Sequence, residues 1–356
     1  MLVWLDALTS KQGTLLSLIA KELIRLGHDV LVTCRRYEFT EKSILRWGFN
    51  PIVVGEYAEG GPTSKVLADI HRMEGLLKVI DRYKPSVLVA YPNPPAARVA
   101  FGVGIKYIAL TDSPHATIPS RLSLPLADVV IASNCIPSHL ISRYLFNESR
   151  LIQYNGVDEL AWILRTRPKL DEVTRFNLTP YKYVVYRPHE YRATYYPASK
   201  LGFSYEDVVK TINNLGFTAV VIPRYSDQVR KALELMRLGY DVRLIWGECY
   251  DGVSLTFYAV AAVTGGATLA REAALLGTPG ITYFPVELYV NECLVKMGYP
   301  VIKVRNLAEL REAILAGTKD LKKRELSYNE RLSLLSTMFE DPVMKVVDAL
   351  ISTLRS

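Results

Sequence analysis

The sequence has no long hydrophobic run and few cysteines. None of its 356 residues fall in an uncharged apolar stretch of about 18 residues, the length that a membrane-spanning helix needs. Residues 1–6 are too short for the apolar core of a signal peptide and follow no basic leader. We therefore expect a cytoplasmic protein that begins with a β-strand.

The four cysteines are Cys34, Cys135, Cys249 and Cys293. They form no C-x-x-C pair and no dense framework, so neither a zinc site nor a disulfide scaffold is indicated. The loop after the first strand, residues 7–13, also lacks the G-x-G-x-x-G pattern of dinucleotide-binding turns. A dehydrogenase that binds its dinucleotide at that turn is therefore disfavoured.

Basic residues exceed acidic ones by 43 to 36, which gives a net charge of +7, but no polybasic block is present. This spread indicates a solvated surface with some preference for anionic ligands. No recognised nucleic-acid motif accompanies the charge, so we predict no nucleic-acid partner. Weak peripheral contact with an anionic membrane, on its cytoplasmic face, stays open as an alternative.

The chain length predicts two domains, because single cores usually stop growing at about 250–300 residues. Short apolar strands alternate with helices in two series, which predicts two mainly parallel sheets with helices on both faces. The predicted strands are residues 2–6, 29–34, 51–54, 86–90, 106–110 and 128–132, then 183–186, 218–223, 242–246, 261–263, 280–284 and 301–304. Polar residues 155–180 would connect the series, and 319–356 would form helices interrupted at Asp341 and Pro342.

The most informative segment is residues 260–285, which reads as strand, glycine turn, helix and strand. The turn, from Thr264 through Gly265 and Gly266 to Ala267 and Thr268, would offer backbone N–H groups to a phosphate at a helix N-terminus. Glu272, about one and a half turns into the helix, would accept hydrogen bonds from a ribose diol. Alternatively, the glycines only permit a tight turn.

Charged side chains follow two predicted strands of the second series. Arg187 and His189 lie in the segment 186–192, and Arg224 follows the next strand. Because strand-end loops of parallel sheets carry ligand contacts, we expect both arginines to face one diphosphate.

Two strand-end loops of the first series hold further candidates. Asp112 and His115 suit general acid–base work on a hydroxyl, although a plain turn explains them equally. Arg121 would steady an anionic ligand or form a surface salt bridge. The candidates at the opening of the first helix, able to meet phosphate or sugar hydroxyls, are Ser10, Lys11 and Gln12. Capping alone would account for Ser10, and solvation for Lys11.

Several segments together resemble the GT-B nucleotide-sugar superfamily. They are residues 4–6, 27–35, 121–128, 186–188, 221–224 and 265–279. The nearest match is an archaeal and bacterial domain-of-unknown-function family that is similar to the non-hydrolysing UDP-N-acetylglucosamine 2-epimerases and to GT-B glycosyltransferases.

The resemblance implies an α/β GT-B fold, in which two doubly wound Rossmann-like domains face a central cleft. Domain bounds would be 1–165 and 166–340, with a final helix, 341–356, packing back on the first domain. The second domain would hold a UDP-sugar, with its diphosphate at residues 264–266 and its ribose near Glu272. His189 would match a histidine of the epimerases, and Asp112 one of their acidic residues.

Two epimerase features are missing. Residues 121–126 offer no second carboxylate, and the Arg-Pro-Glu signature is absent. We therefore expect a metal-independent glycosyltransferase with no cofactor beyond its UDP-sugar, since no D-x-D site is present. Its base would be Asp112 or His115, and its acceptor a glycan, a lipid carrier or a small molecule. The alternatives are a 2-epimerase and a nucleotide-sugar-binding protein without turnover, and a homodimer stays open.

Overall fold

The computed structural model describes residues 1–146, 149–190, 203–319, 321, 324 and 327–355. Contacts divide the chain into two compact units. The first comprises Met1–Trp162 with Phe339–Ser356, and the second comprises Ile163–Met338.

The first unit contains a seven-stranded, entirely parallel sheet in the order β3-β2-β1-β4-β5-β6-β7. Its central strands are almost fully buried, as expected for a sheet covered on both faces. The strands are β1 (Leu2–Ala7), β2 (Asp29–Arg36), β3 (Ile52–Glu56), β4 (Val87–Ala90), β5 (Lys106–Thr111), β6 (Val129–Ser133) and β7 (Arg150–Tyr154).

The helices of the first unit form two groups. The helix α1 packs against α2 and against the last helix of the chain, Pro342–Arg355, whereas α4 packs against both α3 and α5. The bounds are α1 (Ser10–Arg25), α2 (Thr40–Arg46), α3 (Pro62–Tyr83), α4 (Pro94–Gly102), α5 (Thr117–Ser123), α6 (Ser138–Ser142) and α7 (Leu160–Ile163, in part assigned to the second unit).

The second unit contains a six-stranded parallel sheet in the order β10-β9-β8-β11-β12-β13. Its strands are β8 (Tyr183–Arg187), β9 (Thr218–Val221), β10 (Val242–Leu244), β11 (Ala261–Thr264), β12 (Gly280–Thr282) and β13 (Val301–Lys303). Its helices are α8 (Leu170–Thr174), α9 (Tyr205–Asn214), α10 (Ser226–Arg237), α11 (Gly252–Phe257), α12 (Thr268–Leu275), α13 (Tyr289–Lys296), α14 (Leu307–Ala316) and a further helix, Tyr328–Met338.

The predicted fold class is confirmed, because both sheets are parallel and doubly wound. The strand β7 and the helices α4, α5 and α6 were not predicted, and two short helices lie within the segment that was expected to be a plain connection. The helix α4 begins with two prolines, Pro94 and Pro95, which fit the first helical turn after the N-cap Asn93.

A buried ion pair joins the carboxyl-end half of β1 to α3. Asp6 is fully buried, and the Arg72 guanidinium donates to both of its carboxylate oxygens at 2.6 Å. Thr33 and Asn93 also donate to Asp6. The carboxylate is therefore held by a complete set of donors, which a buried charge requires.

Among the described residues, no helix combines the length and the apolar character needed to cross a membrane.

Candidate functional site

The glycine turn between β11 and α12 has the predicted form but not the predicted donors. The Gly265 amide donates to the Arg187 carbonyl at 3.1 Å, and the Gly266 amide donates to the Thr264 hydroxyl at 3.0 Å. The expectation that the turn itself offers these two N–H groups to a phosphate is therefore wrong. Strand pairing and the Thr264 side chain already use them.

The backbone N–H donors at the N-terminus of α12 lie further along the chain than the two glycines. The first helical hydrogen bond of α12 runs from the Arg271 amide to the Ala267 carbonyl at 3.1 Å. The amides of Thr268, Leu269 and Ala270 precede it, and a helix leaves such amides without an intrahelical acceptor. An anion at this helix would therefore be bound by the amides two to four residues after Gly266.

Gly265 is required for close packing of two backbone segments. A Cβ at this position would lie 2.2 Å from the His189 Cβ and 2.5 Å from the His189 Cα. The glycine therefore lets the loop after β8 rest directly on the turn after β11. This contact places His189 beside the N-terminus of α12.

Gly265→Ala is expected to lower the free energy of unfolding by about 1–3 kcal/mol, because the added methyl group forces the His189 backbone away. Urea denaturation measures this change. Gly61→Ala is the matched control, since a Cβ at Gly61 has nothing within 4 Å. Equal stability of the two variants would contradict the close packing.

Arg224 is fixed against the same turn. Its Nε donates to the Pro188 carbonyl at 3.1 Å, and its Nη1 lies 3.8 Å from a Glu190 oxygen. A Cβ on Gly266 would lie 3.3 Å from its Nη2. The guanidinium is thus held next to the glycine turn, and its contact with a diphosphate stays a prediction of the sequence.

Gln228 of α10 ties the two loops of this cluster together. Its side-chain oxygen accepts from the Arg224 amide at 2.7 Å, and its Nε2 donates to the His189 carbonyl at 3.1 Å. Gln228 is buried and was not predicted. Its position two residues inside the helix after β9 is the only sequence signal that points to it.

His189 lies in an environment that favours its neutral form. Burial lowers its pKa, and the positive charges of Arg224 and Lys231 lower it further. Its ring also packs edge-on against Tyr283, with 6.1 Å between ring centroids. At neutral pH the imidazole therefore retains a lone pair that can accept a proton or a hydrogen bond.

Arg187 and Glu272 both contact the segment that contains α11. The Arg187 Nη1 donates to the Tyr250 hydroxyl at 3.2 Å, just before that helix. Glu272 is buried, and its Oε1 accepts from the Thr256 hydroxyl at 3.3 Å. Gly252, at the start of α11, has no Cβ, which would otherwise lie 2.8 Å from Glu272 Oε1. The last two residues of the segment 186–192 lie outside the described residues.

In the first unit, the structure joins two of the predicted residues to an unpredicted one. Lys11 at the start of α1 pairs with Asp112 after β5, and its Nζ lies 2.7 Å from Asp158 Oδ2. The Asp112 side chain is 19% exposed and that of Asp158 is 10% exposed. One lysine therefore bridges two carboxylates at the carboxyl edge of the sheet.

Asp158 is saturated by donors. The Tyr91 and Tyr154 hydroxyls donate to its two oxygens, one to each. Burial, and the negative charge of Asp158, raise the pKa of both tyrosines well above the usual value, so both remain protonated donors. Asp158 thus serves as a fixed anion, whereas Asp112, which also accepts from the Ser113 hydroxyl at 2.8 Å, is the more accessible carboxylate.

The remaining candidates of the first unit are Ser10 and Gln12 at the start of α1, and His115 and Arg121 at α5. The N-cap of α1 is Thr9, whose hydroxyl accepts from the Gln12 amide, so the capping role considered for Ser10 is wrong. Gln12 instead accepts from the Leu8 amide at 2.7 Å. The His115 carbonyl accepts from Thr117 in the turn before α5, and Arg121 is exposed on that helix.

Within the described part of the chain, no group of three or more His, Cys, Asp or Glu side chains is arranged to hold a metal ion.

A known protein family matches nearly the whole chain. Residues 1–347 match the family described as "Protein of unknown function (DUF354)". The chain belongs to the DUF354 family. A relative of this chain is the uncharacterised protein MJ0665 of Methanocaldococcus jannaschii. The two are 25% identical over 299 residues, which is 80% of this chain and 82% of the relative. The resemblance to a domain-of-unknown-function family is therefore confirmed.

Solved structures share the fold of this DUF354 protein at low identity. UDP-GlcNAc 2-epimerase of M. jannaschii, in complex with UDP-GlcNAc and UDP, superimposes with a TM-score of 0.71 at 15% identity over 99% of this chain and 100% of that one. The Neisseria meningitidis enzyme bound to UDP-GlcNAc gives the same values. Spinosyn forosaminyltransferase SpnP gives 0.60 at 16% identity over 100% and 99%. The GT-B fold is thus confirmed.

Proposed function

We propose that this protein is a metal-independent GT-B glycosyltransferase that uses a UDP-sugar. The observation that carries the proposal is the Arg224 guanidinium fixed beside the glycine turn at the N-terminus of α12. A guanidinium and orphan helix amides together suit the two negative groups of a diphosphate. Solved proteins of this fold include enzymes bound to UDP-GlcNAc, which supports the choice of ligand.

In the proposed reaction, the acceptor hydroxyl loses its proton to Asp112 of the first unit. The acceptor oxygen then forms a bond to the anomeric carbon, and the bond from that carbon to the UDP oxygen breaks. The negative charge that develops on the diphosphate is stabilised by Arg224 and by the amides at the start of α12. Glu272 would accept hydrogen bonds from the ribose hydroxyls.

Transfer is favoured over epimerisation because Asp112 is the more accessible of the two carboxylates that contact Lys11. Asp158 accepts from two tyrosines and pairs with Lys11, which suits a fixed anion more than a proton carrier. A single base is sufficient to activate an acceptor hydroxyl.

A UDP-sugar 2-epimerase is the second candidate. Asp158 and Asp112 both contact the Lys11 ammonium group, so Asp158 would supply the second carboxylate that residues 121–126 lack. The neutral His189 would supply a further acid–base group.

Incubation with UDP-N-acetylglucosamine separates these functions. Release of UDP only after an acceptor is added supports transfer, and formation of UDP-N-acetylmannosamine without acceptor supports epimerisation. Thermal stabilisation with no product at any acceptor supports a binding protein without turnover. If neither UDP nor the UDP-sugar binds, the proposal is wrong.

Arg224→Ala is expected to weaken UDP binding about 10- to 100-fold, because it removes charged hydrogen bonds to the diphosphate. Isothermal titration calorimetry with UDP measures this loss. Arg237→Ala, at the exposed far end of α10, is the matched control and should bind UDP as the wild type does. Equal affinity of both variants would remove Arg224 from the site.

A further inference from the structure

The outer face of α5 is apolar and basic. Ile118, Arg121 and Leu122 are three and four residues apart and therefore lie on one face of the helix. Ile118 is 58% exposed and Leu122 is 54% exposed. Two exposed branched side chains therefore flank an exposed arginine on this seven-residue helix.

The neighbouring helix α4 extends this surface. Arg98 and Phe101 are exposed three residues apart, and Phe101 is 61% exposed. Val103 follows the helix and is also exposed. Because α4 packs directly against α5, their outer faces adjoin. We name the set Arg98, Phe101, Val103, Ile118, Arg121 and Leu122 the α4–α5 surface.

The charge of this surface has one sign. Neither α4 nor α5 contains an aspartate or a glutamate. Arg143, which is exposed, adds a third guanidinium beside α5 through its hydrogen bond to the Pro114 carbonyl. The nearest carboxylates along the chain are engaged elsewhere, since Asp112 pairs with Lys11 and Asp128 accepts from the Tyr107 amide.

The helix α3, which also packs against α4, has exposed apolar residues of its own, Val66, Leu67 and Ile70. This helix carries both signs of charge, and its Glu74 pairs with Lys78. Of these three helices, α4 and α5 carry basic residues without acidic ones, which suits a negative partner.

We propose that the α4–α5 surface docks on an anionic phospholipid bilayer. The guanidinium groups would lie among the lipid phosphates while Phe101, Ile118 and Leu122 enter the headgroup boundary, as apolar and basic side chains do in peripheral proteins. A second copy of the chain fits less well. In a two-fold contact each patch meets its own equivalent, so the arginines would face one another with no carboxylate on α4 or α5 to pair with.

This docking does not depend on the proposed transfer reaction. The docking requires only the exposed side chains on and beside two surface helices. Neither helix is long and apolar enough to span a membrane. If both proposals hold, a lipid-linked acceptor becomes the first class of acceptor to examine.

Cosedimentation of the full-length, nucleotide-free protein with vesicles tests the proposal. We expect the protein to sediment with vesicles of phosphatidylcholine and phosphatidylglycerol, to remain in the supernatant with phosphatidylcholine alone, and to be released by high salt. Arg98→Glu should reduce partitioning about thirtyfold, because each charge near an anionic surface contributes roughly fivefold and the reversal counts twice.

The double variant Ile118→Ser and Leu122→Ser should reduce partitioning about tenfold or more. The matched control is Leu238→Ser, which changes a similarly exposed leucine in the second unit. Unchanged circular dichroism melting curves verify folding. The proposal is overturned if the wild-type protein does not sediment with anionic vesicles, or if the double variant sediments as Leu238→Ser does. It is also overturned if light scattering detects a dimer that the double substitution abolishes.

Discussion

Asp6→Ala is expected to lower the free energy of unfolding by about 3–5 kcal/mol, the cost of leaving one member of a buried ion pair without its partner. The substitution would leave the buried Arg72 guanidinium without the two Asp6 oxygens to which it donates. It would also remove the acceptor of Thr33 and Asn93. Urea denaturation followed by tryptophan fluorescence measures the loss, and Trp4, which donates to Thr33 at 2.7 Å, reports from the same network.

The control for this prediction is Glu74→Ala, which removes an ion pair of the same kind from the exposed face of α3. Its expected effect on the free energy of unfolding is close to zero, because solvent and salt screen surface pairs. If Asp6→Ala cost no more than Glu74→Ala, the network would not be a buried one. Asp6→Asn, which keeps the shape and removes the charge, should be intermediate.

Asp112→Asn is expected to lower the turnover rate about 10²- to 10⁴-fold, the usual contribution of a general base, while UDP affinity stays unchanged. Stability should also change little, since Lys11 keeps its contact with Asp158 at 2.7 Å. The assay is UDP release with acceptor or epimer formation without it, whichever the wild type performs.

Asp29→Asn is the matched control for Asp112→Asn. Asp29 begins β2 at the opposite, amino edge of the same sheet and is exposed. This variant should react at the wild-type rate. Equal activity of Asp112→Asn and Asp29→Asn would assign the acid–base role to another residue, with His115 the next candidate for transfer and His189 for epimerisation. A parallel loss of UDP affinity in Asp112→Asn would mean that this carboxylate acts in binding instead.

The glycine turn illustrates how far the sequence predicted the candidate site. Residues 264–268 indicated a strand, a turn and a helix N-terminus, and the structure contains each of them. The sequence did not indicate that the Gly266 amide is taken by the Thr264 hydroxyl, or that Gly265 packs on His189. The Gly265–His189 contact depends on how β11 and β8 pair, which local residue patterns do not encode, whereas the Thr264–Gly266 bond is local but is one of several that the turn residues allow.

The lysine cluster shows the same limit more strongly. Lys11 and Asp112 were predicted from their places after apolar strands, but Asp158 was missed with the strand β7 before it. Arg150 and Gln153 make β7 polar because it lies at the edge of the sheet. A strand with a solvated side lacks the continuous apolar pattern that revealed the central strands.

By itself, the sequence determined the alternation of strand and helix, the two parallel sheets and the glycine turn, because the spacing of apolar residues and glycines acts within about one turn or strand. Only the tertiary structure decided that Lys11 meets Asp112, 101 positions away, and that Asp158 joins them. Strand order brings those ends to one edge. That order results from packing over the whole unit, so no local pattern specifies it.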